Sequence, residues 1–143
     1  MHLTKVEIKN LKSLGNFTWE LTSDDTTAGW HVLLGDNGSG KSTFLRACAI
    51  ALIGPKNATG LRLSWQDWVQ YGEKEARISI TLIQDSIDQW IGKGNTTAGK
   101  LRAAVKINEQ GITLTEVSPS PNRHIWGGAG WFSSSFGPFR RFS

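Results

Sequence analysis

The chain has 143 residues, of which 38% are apolar and 20% are charged, and its formal net charge is +4. This composition is typical of a folded globular domain, and so small a charge does not by itself indicate a nucleic-acid partner. The longest apolar run, Ala47–Ile53, is too short to span a bilayer, and the first residues lack the apolar core of a secretory signal. The single cysteine, Cys48, excludes an internal disulfide and predicts a reducing, cytoplasmic setting.

The first part of the chain predicts three strands. Leu3–Lys9 and Phe17–Leu21 alternate apolar and polar side chains, which is the pattern of a half-buried strand, and a polar turn separates them. Residues 23–29 are polar and predict a loop. Trp30–Leu34 is apolar without alternation, which is typical of a strand buried on both faces.

The middle of the chain predicts one long helix and an antiparallel region. Ser42–Ile53 is rich in alanine and leucine and predicts a helix that ends at Gly54. Ser64 and the acidic residue three positions later predict a short helix that Gly72 closes. Alternating strands are predicted at Arg77–Gln84, Leu101–Ile107 and Ile112–Val117, with a glycine-rich loop at 92–100 and a hairpin turn at 108–111.

One motif carries the chemistry. Gly35–Ser42 matches in full the phosphate-loop pattern Gly-x-x-x-x-Gly-Lys-[Ser/Thr], and it lies between a predicted strand and a predicted helix, as that motif requires. The glycines let the backbone approach an anion, and successive N–H groups at the helix N-terminus attract phosphates. The alternative, an ordinary glycine-rich turn that caps a helix, is disfavoured by the complete match and its setting.

The motif assigns a role to each side chain. Lys41 is the predicted catalytic residue, since its ammonium group reaches the β- and γ-phosphates as a point charge. The Ser42 hydroxyl is the predicted Mg²⁺ ligand, and Thr43 is predicted to contact the α-phosphate. The remaining predicted binding residues of the loop are Gly35, Asp36, Asn37, Gly38, Ser39 and Gly40.

The surroundings of the motif narrow the class of protein. The Asn-Lys-x-Asp segment with which a GTPase reads guanine is absent from the sequence. The helix is followed by alternating strands with hairpin spacing, whereas small-molecule kinases continue with parallel strands and helices. We therefore predict an α/β P-loop NTPase fold, the first lobe of an ABC-type ATPase head, with a mixed sheet around the P-loop helix and an antiparallel β-subdomain.

Several segments resemble one known family. Val6–Leu14 resembles the opening of ABC-class ATPases of the SMC, RecF and OLD type, and His31–Thr43 is similar to their phosphate-loop segment. Trp65–Leu82 resembles the stretch that leads into their antiparallel sheet. The aromatic ending Trp131–Phe142 resembles a segment of bacterial anti-phage defence ATPases of the Septu and retron-associated type.

The resemblance implies ATP and Mg²⁺ as cofactors and a homo-oligomer in which two heads sandwich ATP. It places Lys12 and Ser13 beside the nucleotide, with a solvated turn as the alternative. It also implies an HNH-type nuclease partner in anti-phage defence, and nucleic acid as a further partner. Two rival interpretations stay open: a DNA-repair or chromosome-maintenance ATPase of the RecF or SMC type, and a non-hydrolysing nucleotide-sensing scaffold.

The family's hydrolytic motifs are absent from the sequence. It contains no apolar strand ending in Asp-Glu and no Leu-Ser-Gly-Gly signature. Asp85 is the nearest carboxylate but fits a turn, and Gln84 and Gln110 are poor candidates for the family's metal-contacting glutamine. By analogy we expect residues 1–60 to form a nucleotide-binding lobe, 61–125 an antiparallel subdomain, and 126–143 a segment leading into a C-terminal half beyond this chain.

Three other predictions concern individual side chains. Cys48 is expected to be a small buried residue rather than a nucleophile. Trp65 and Trp68, three apart on the short helix, fit a core or interface better than base stacking. Arg140 and Arg141 fit phosphate contacts and solvent-facing charges equally well.

The chain by itself is expected to release no phosphate from Mg-ATP above background, because it lacks the carboxylates that hold the metal and position water. A phosphate-release assay measures this directly, with the Lys41→Ala variant as the control. Turnover that the wild-type chain shows and this variant loses would contradict the prediction.

Overall fold

The computed structural model describes residues 2–22, 27, 29–61, 63–84 and 100–118. Their strands form one sheet in the order β2-β1-β3-β4-β5, in which every neighbouring pair is antiparallel. A single long helix, α1, packs on one face of this sheet. The elements are β1 (His2–Leu11), β2 (Gly15–Glu20), α1 (Lys41–Thr59), β3 (Ala76–Ile83), β4 (Lys100–Asn108) and β5 (Gly111–Ser118), with short 3-10 helices at Lys12–Leu14 and Trp65–Trp68.

The apolar face of the sheet forms the core with α1. Period-two alternation places Ile78, Ile80 and Leu82 of β3 on this face, as the sequence predicts, and all three are buried. The other buried apolar side chains of the cluster include Val6 and Ile8 of β1, Leu101, Val105 and Ile107 of β4, and Phe44, Ala47, Ile50 and Ala51 of α1. This shared burial holds α1, and with it the loop at its N-terminus, in a fixed position on the sheet.

The opposite face of the sheet carries a row of ion pairs. Arg102 lies 3.1 Å from Glu7, and Arg77 lies 2.7 Å from Glu116. Because these side chains are partly exposed, each pair adds little to the free energy of unfolding. Each pair reaches across one intervening strand, from β1 to β4 and from β3 to β5. The pairs favour the observed register, since a shift of one residue would turn these charges toward the core.

Two predicted helices differ in detail from the structure. The predicted helix end at Gly54 is seen as a break with φ 77°, after which Pro55 begins another helical stretch within α1. The short helix spans only Trp65–Trp68, and the Ser64 side chain makes no capping hydrogen bond. It ends early because the next residue, Val69, is extended and forms a bridge with β1.

The prediction of a strand at Trp30–Leu34 is wrong. This segment forms no strand, and Trp30, Val32 and Leu34 are 98%, 75% and 90% exposed. The partly buried Leu33 packs against the core, and the ring of His31, itself exposed, touches that of Trp19. Because no described strand lies alongside to bond its backbone and cover its second face, the apolar run stays unpaired. The predicted mixed sheet is likewise not formed by the described residues.

Several sequence predictions fall outside the described residues. Asp85, most of the predicted 92–100 loop and the aromatic segment 126–143, with Arg140 and Arg141, belong to this group. Strands from both predicted lobes share the one sheet, and the division at residue 60 stays a prediction. Among the described helices, none is long and apolar enough to cross a membrane.

Ile80→Ala is expected to lower the free energy of unfolding by about 2–5 kcal/mol, because it opens a cavity at the centre of the sheet. Ile80 is 0% exposed, whereas Leu114 on β5 is 45% exposed. The matched variant Leu114→Ala is therefore expected to cost less than about 1 kcal/mol. Urea unfolding of both variants checks this, and equal costs would contradict the described core.

Candidate nucleotide-binding site

The predicted phosphate loop forms the N-terminal end of α1. Gly40 caps the helix with φ 93°, and its carbonyl accepts the Phe44 N–H at 2.8 Å. Within the loop, the Ser39 N–H donates to the Asp36 carbonyl at 3.2 Å. The loop residues from Gly35 to Ser39 are exposed, and so is Ser42. The backbone N–H groups at this helix end therefore lie at the surface, where an anion can reach them.

The Lys41 ammonium group holds the loop through two hydrogen bonds and has a third N–H donor. It donates hydrogen bonds of 2.7 Å to the carbonyls of both Gly35 and Asp36. Its contact with the Ser39 hydroxyl is 3.5 Å, which is too long for a strong hydrogen bond. An ammonium group has three donors, so one remains available for a phosphate oxygen.

The turn after β1 lies directly against the loop. A Cβ atom placed on Gly40 would lie 2.6 Å from Leu14 Cδ2 and 3.4 Å from the Ser13 hydroxyl oxygen. Ser13 is therefore beside the phosphate loop, and its predicted place beside the nucleotide stays a prediction. Lys12 extends elsewhere, because its ammonium nitrogen lies 5.2 Å from the centre of the Trp68 ring. Lys12 can therefore contact a nucleotide only if part of that nucleotide lies beside Trp68.

Aromatic contacts fix the two flanks of the loop. On the helix side, Phe44 meets Phe17 edge-on with ring centres 5.4 Å apart. On the other side, His31 meets Trp19 at 5.6 Å, and Trp19 also contacts Phe44 at 6.5 Å. These contacts connect β2 with the residues that precede and follow the loop, which restricts how far the loop ends can separate.

A groove of about 530 Å³ lies between α1 and the segment containing Trp68, with Lys12 in its lining. Arg46 on α1 and Asp67 on the short helix supply charged groups, and Trp68 forms part of the apolar wall. The remaining lining residues are Ala49, Ile50, Ile53, Leu61, Leu63 and Ser64. A groove of this size with few polar groups is typical of small-molecule sites. Trp68 itself is buried, as the sequence predicts, and serves the core and the groove together.

The donor set fits Mg²⁺ held jointly with phosphate. Mg²⁺ keeps several waters and is commonly bound through one or two protein groups plus nucleotide phosphates. Ser42 offers an exposed hydroxyl in the first turn of α1. The described ranges contain no cluster of three or more His, Cys, Asp or Glu side chains placed to hold a metal by themselves. A metal here would therefore depend on the nucleotide for most of its ligands.

Cys48 takes no part in this chemistry. It is buried within α1, and desolvation raises the pKa of its thiol to about 12. A thiol so protonated at neutral pH is a poor nucleophile. The expectation of a small structural cysteine agrees with this environment.

Sequence reasoning missed three residues of this region. Arg46 and Asp67 line the groove but are separated from each other and from Lys12 by long stretches of chain. The spacing of Arg46, Ala49, Ile50 and Ile53 on one helix face was the available signal for the groove wall. Asn10 lies within the segment Val6–Leu14 that resembles the family. Its hydrogen bonds reach residues far along the chain, so they cannot be deduced from spacing.

A protein-family comparison bears on this geometry. The family model described as an AAA domain matches residues 5–122, which include both β1 and the phosphate loop. The chain belongs to this family. The match extends from within β1 to beyond the end of β5, so it covers every described element of the site.

Two curated proteins resemble this AAA domain over different lengths. Septu protein PtuA of Bacillus mycoides is 45% identical over 53 residues, which are 36% of this chain and 8% of that protein. Chromosome partition protein Smc of Gloeobacter violaceus is 29% identical over 133 residues, which are 87% of this chain and 11% of that protein. The AAA domain therefore corresponds to a small part of each of these relatives.

Two solved structures share the fold. One, from work titled as ATP-driven dimerization and DNA stimulated activation of SMC ATPases, gives a TM-score of 0.55 at 22% identity, covering 80% of this chain and 69% of that one. The other, recombination mediator protein RecF with ATP, gives 0.57 at 14% identity, covering 83% and 28%. These likenesses confirm the predicted α/β P-loop fold of an ABC-type ATPase head of the SMC and RecF kind.

Gly40→Ala is expected to cost more stability than Gly38→Ala. Both glycines have positive φ, 93° and 82°, so both variants meet the same left-handed backbone penalty. Only Gly40 faces a neighbour, since a Cβ on Gly38 would meet nothing within 4 Å. The clash with Leu14 adds about 1–3 kcal/mol of overpacking.

Urea unfolding measures both costs, and Gly38→Ala is the matched control. Equal losses in the two variants would show that the turn does not pack on the loop as described. A Gly40→Ala chain that stays folded is also expected to bind nucleotide more weakly, because the loop must shift to relieve the contact.

Proposed function

We propose that this AAA domain binds Mg-ATP through residues 35–43 and acts as one lobe of an ATPase head that pairs with a second head around the nucleotide. The observation that carries the proposal is the Lys41 ammonium group, held by the Gly35 and Asp36 carbonyls with a third donor to spare. Its position at the N-terminal end of α1 adds the partial positive charge of the helix.

The phosphates would lie over the loop. Backbone N–H groups from the exposed residues and the free Lys41 donor give charge-assisted hydrogen bonds to phosphate oxygens. The Ser42 hydroxyl would share a Mg²⁺ ion with the phosphates, which supplies charge neutralisation. Thr43 follows on the same helix turn and stays the proposed contact of the α-phosphate.

The base and ribose would occupy the groove beside Trp68. The support is that Ser13 lies beside Gly40, while the next residue back, Lys12, lies over the Trp68 ring and lines the groove. The apolar wall suits the faces of a base, while Asp67 offers an acceptor for a ring amine. Arg46 and Lys12 add positive charge to the groove lining.

The larger setting of the proposal is anti-phage defence. It has the head act as the ATPase or sensor component of a cytoplasmic complex, with an HNH-type nuclease as effector partner and nucleic acid as a further partner. The support is the 45% identity to Septu protein PtuA over 53 residues. Pairing of two heads is supported by the likeness to a structure from work on the ATP-driven dimerization of SMC ATPases.

A second candidate is a chromosome-maintenance or DNA-repair ATPase. The observation in its favour is the similarity to Smc, which extends over 133 residues rather than 53. The two candidates differ in what the full-length protein requires. Nuclease activity that depends on a co-purified partner favours defence, whereas ATP turnover stimulated by DNA without such a partner favours maintenance. A full-length protein that binds ATP and never hydrolyses it favours the sensing scaffold.

Lys41→Ala is expected to weaken Mg-ATP binding about tenfold or more, since it removes a charge-assisted hydrogen bond to phosphate. Lys56→Ala is the matched control, because Lys56 is an exposed lysine near the other end of α1. Titration calorimetry of both folded variants, with folding checked by circular dichroism, decides the question. Unchanged affinity in Lys41→Ala would overturn the proposed function.

A further inference from the structure

Asn10 lies outside the set of nucleotide-binding residues, yet its hydrogen bonds join the segments that form the site. We infer that Asn10 is a positioning residue, which holds the Lys12–Leu14 turn and the segment containing Trp68 in the arrangement that receives the nucleotide. The inference rests on the proposed binding of ATP. It also makes a claim about the free protein that can be tested without any nucleotide.

The backbone of Asn10 leaves the regular strand. Its φ of 54° is left-handed, and the pairing of β1 with β2 shifts register between Ile8 and Leu11. The Asn10 N–H donates to Asn16 Oδ1 at 3.1 Å across the turn. The Asn10 carbonyl accepts the Gln70 N–H at 2.8 Å, which brings in the segment after the short helix. The two backbone groups of one residue therefore bond two different segments.

The side chain of Asn10 bonds further residues of the segment that contains Gln70. Its amide nitrogen donates to Glu73 Oε2 at 3.1 Å and, at 3.4 Å, to the Glu75 carbonyl. Glu73 is itself placed by a turn in which its N–H donates to the Gln70 carbonyl at 3.0 Å. Asparagine suits this position because it tolerates left-handed φ better than most residues and carries an amide donor.

The residues that directly follow Asn10 carry the effect of these hydrogen bonds to the site. Leu11, the next residue, is buried and bridges to Val69, which directly follows Trp68. Lys12 then has φ 34° and places its ammonium over the Trp68 ring, and Ser13 and Leu14 meet the Gly40 position. Without the Asn10 bonds, the turn and the Trp68 segment would sample other arrangements, and only a fraction of molecules would be competent to bind.

The first variant is Asn10→Asp, which tolerates the same φ but loses the side-chain donor and places a carboxylate against Glu73. We expect Mg-ATP affinity to fall about tenfold, in proportion to the lost competent fraction. The matched control is Asn16→Asp, which adds the same charge a few residues away and keeps the oxygen that accepts the Asn10 N–H. That control is expected to bind ATP within about twofold of wild type.

The rescue variant exchanges donor and acceptor. In the double variant Asn10→Asp with Glu73→Gln, the new amide at position 73 donates to the new carboxylate at position 10. We expect it to recover most of the lost affinity, which a merely destabilised fold would not do. Glu73→Gln alone keeps an acceptor for the Asn10 amide and is expected to resemble wild type. If Asn10→Asp fails to fold, Glu73→Ala removes the same bond from the other side.

Amide hydrogen exchange of the free protein separates this inference from the proposed function. Asn10→Asp is expected to lose protection at the Gln70 amide and in peptides covering residues 9–16 and 65–76, while α1 stays protected. Lost protection in a chain whose wild type binds no ATP would refute the proposed function and leave the structural part of the inference standing. Unchanged protection, or affinity equal to that of Asn16→Asp, would overturn the positioning role.

Discussion

The site depends on the close packing of the Leu14 side chain against the backbone of Gly40. The turn after β1 packs onto this N-cap residue of α1 so tightly that Leu14 occupies the space of a Cβ. This contact decides where α1 begins relative to the sheet, and the start of α1 decides where the phosphate loop presents its N–H groups. A side chain at Gly40 would separate the turn from the loop. The nucleotide contacts proposed for Ser13 and Lys12 would then be lost together.

The antiparallel sheet makes that approach possible. Lys9 pairs with Arg77, so the last residues of β1 and the first residues of β3 lie at the same end of the sheet. The Lys12–Leu14 turn and residues 69–75 therefore meet there, and Asn10 joins them. On one face of the sheet, buried aliphatic side chains hold α1 in place. On the other, ion pairs between Arg77, Arg102 and their glutamates favour the same register.

Much of this arrangement follows from local sequence. Period-two alternation locates β1, β3 and the β4–β5 hairpin, and the complete phosphate-loop pattern locates the N-terminus of α1. An apolar run does not reveal what covers its faces, which is why Trp30–Leu34 was predicted to be a buried strand and is unpaired and largely exposed. The groove also escapes local patterns, since Lys12, Arg46 and Asp67 come together only through the packing of the turn, α1 and the short helix.

The charged and polar groups of the described residues suit phosphate binding rather than hydrolysis. The described residues supply what binds a phosphate: a helix end, a braced lysine and a hydroxyl. They contain no cluster of three or more acidic or other metal-binding side chains placed to hold a metal by themselves. The proposed affinity for ATP therefore rests on groups that the described residues supply, whereas turnover requires a further group that positions water. In the proposed pair of heads, ATP binding would assemble the complex, and hydrolysis would depend on the completed interface.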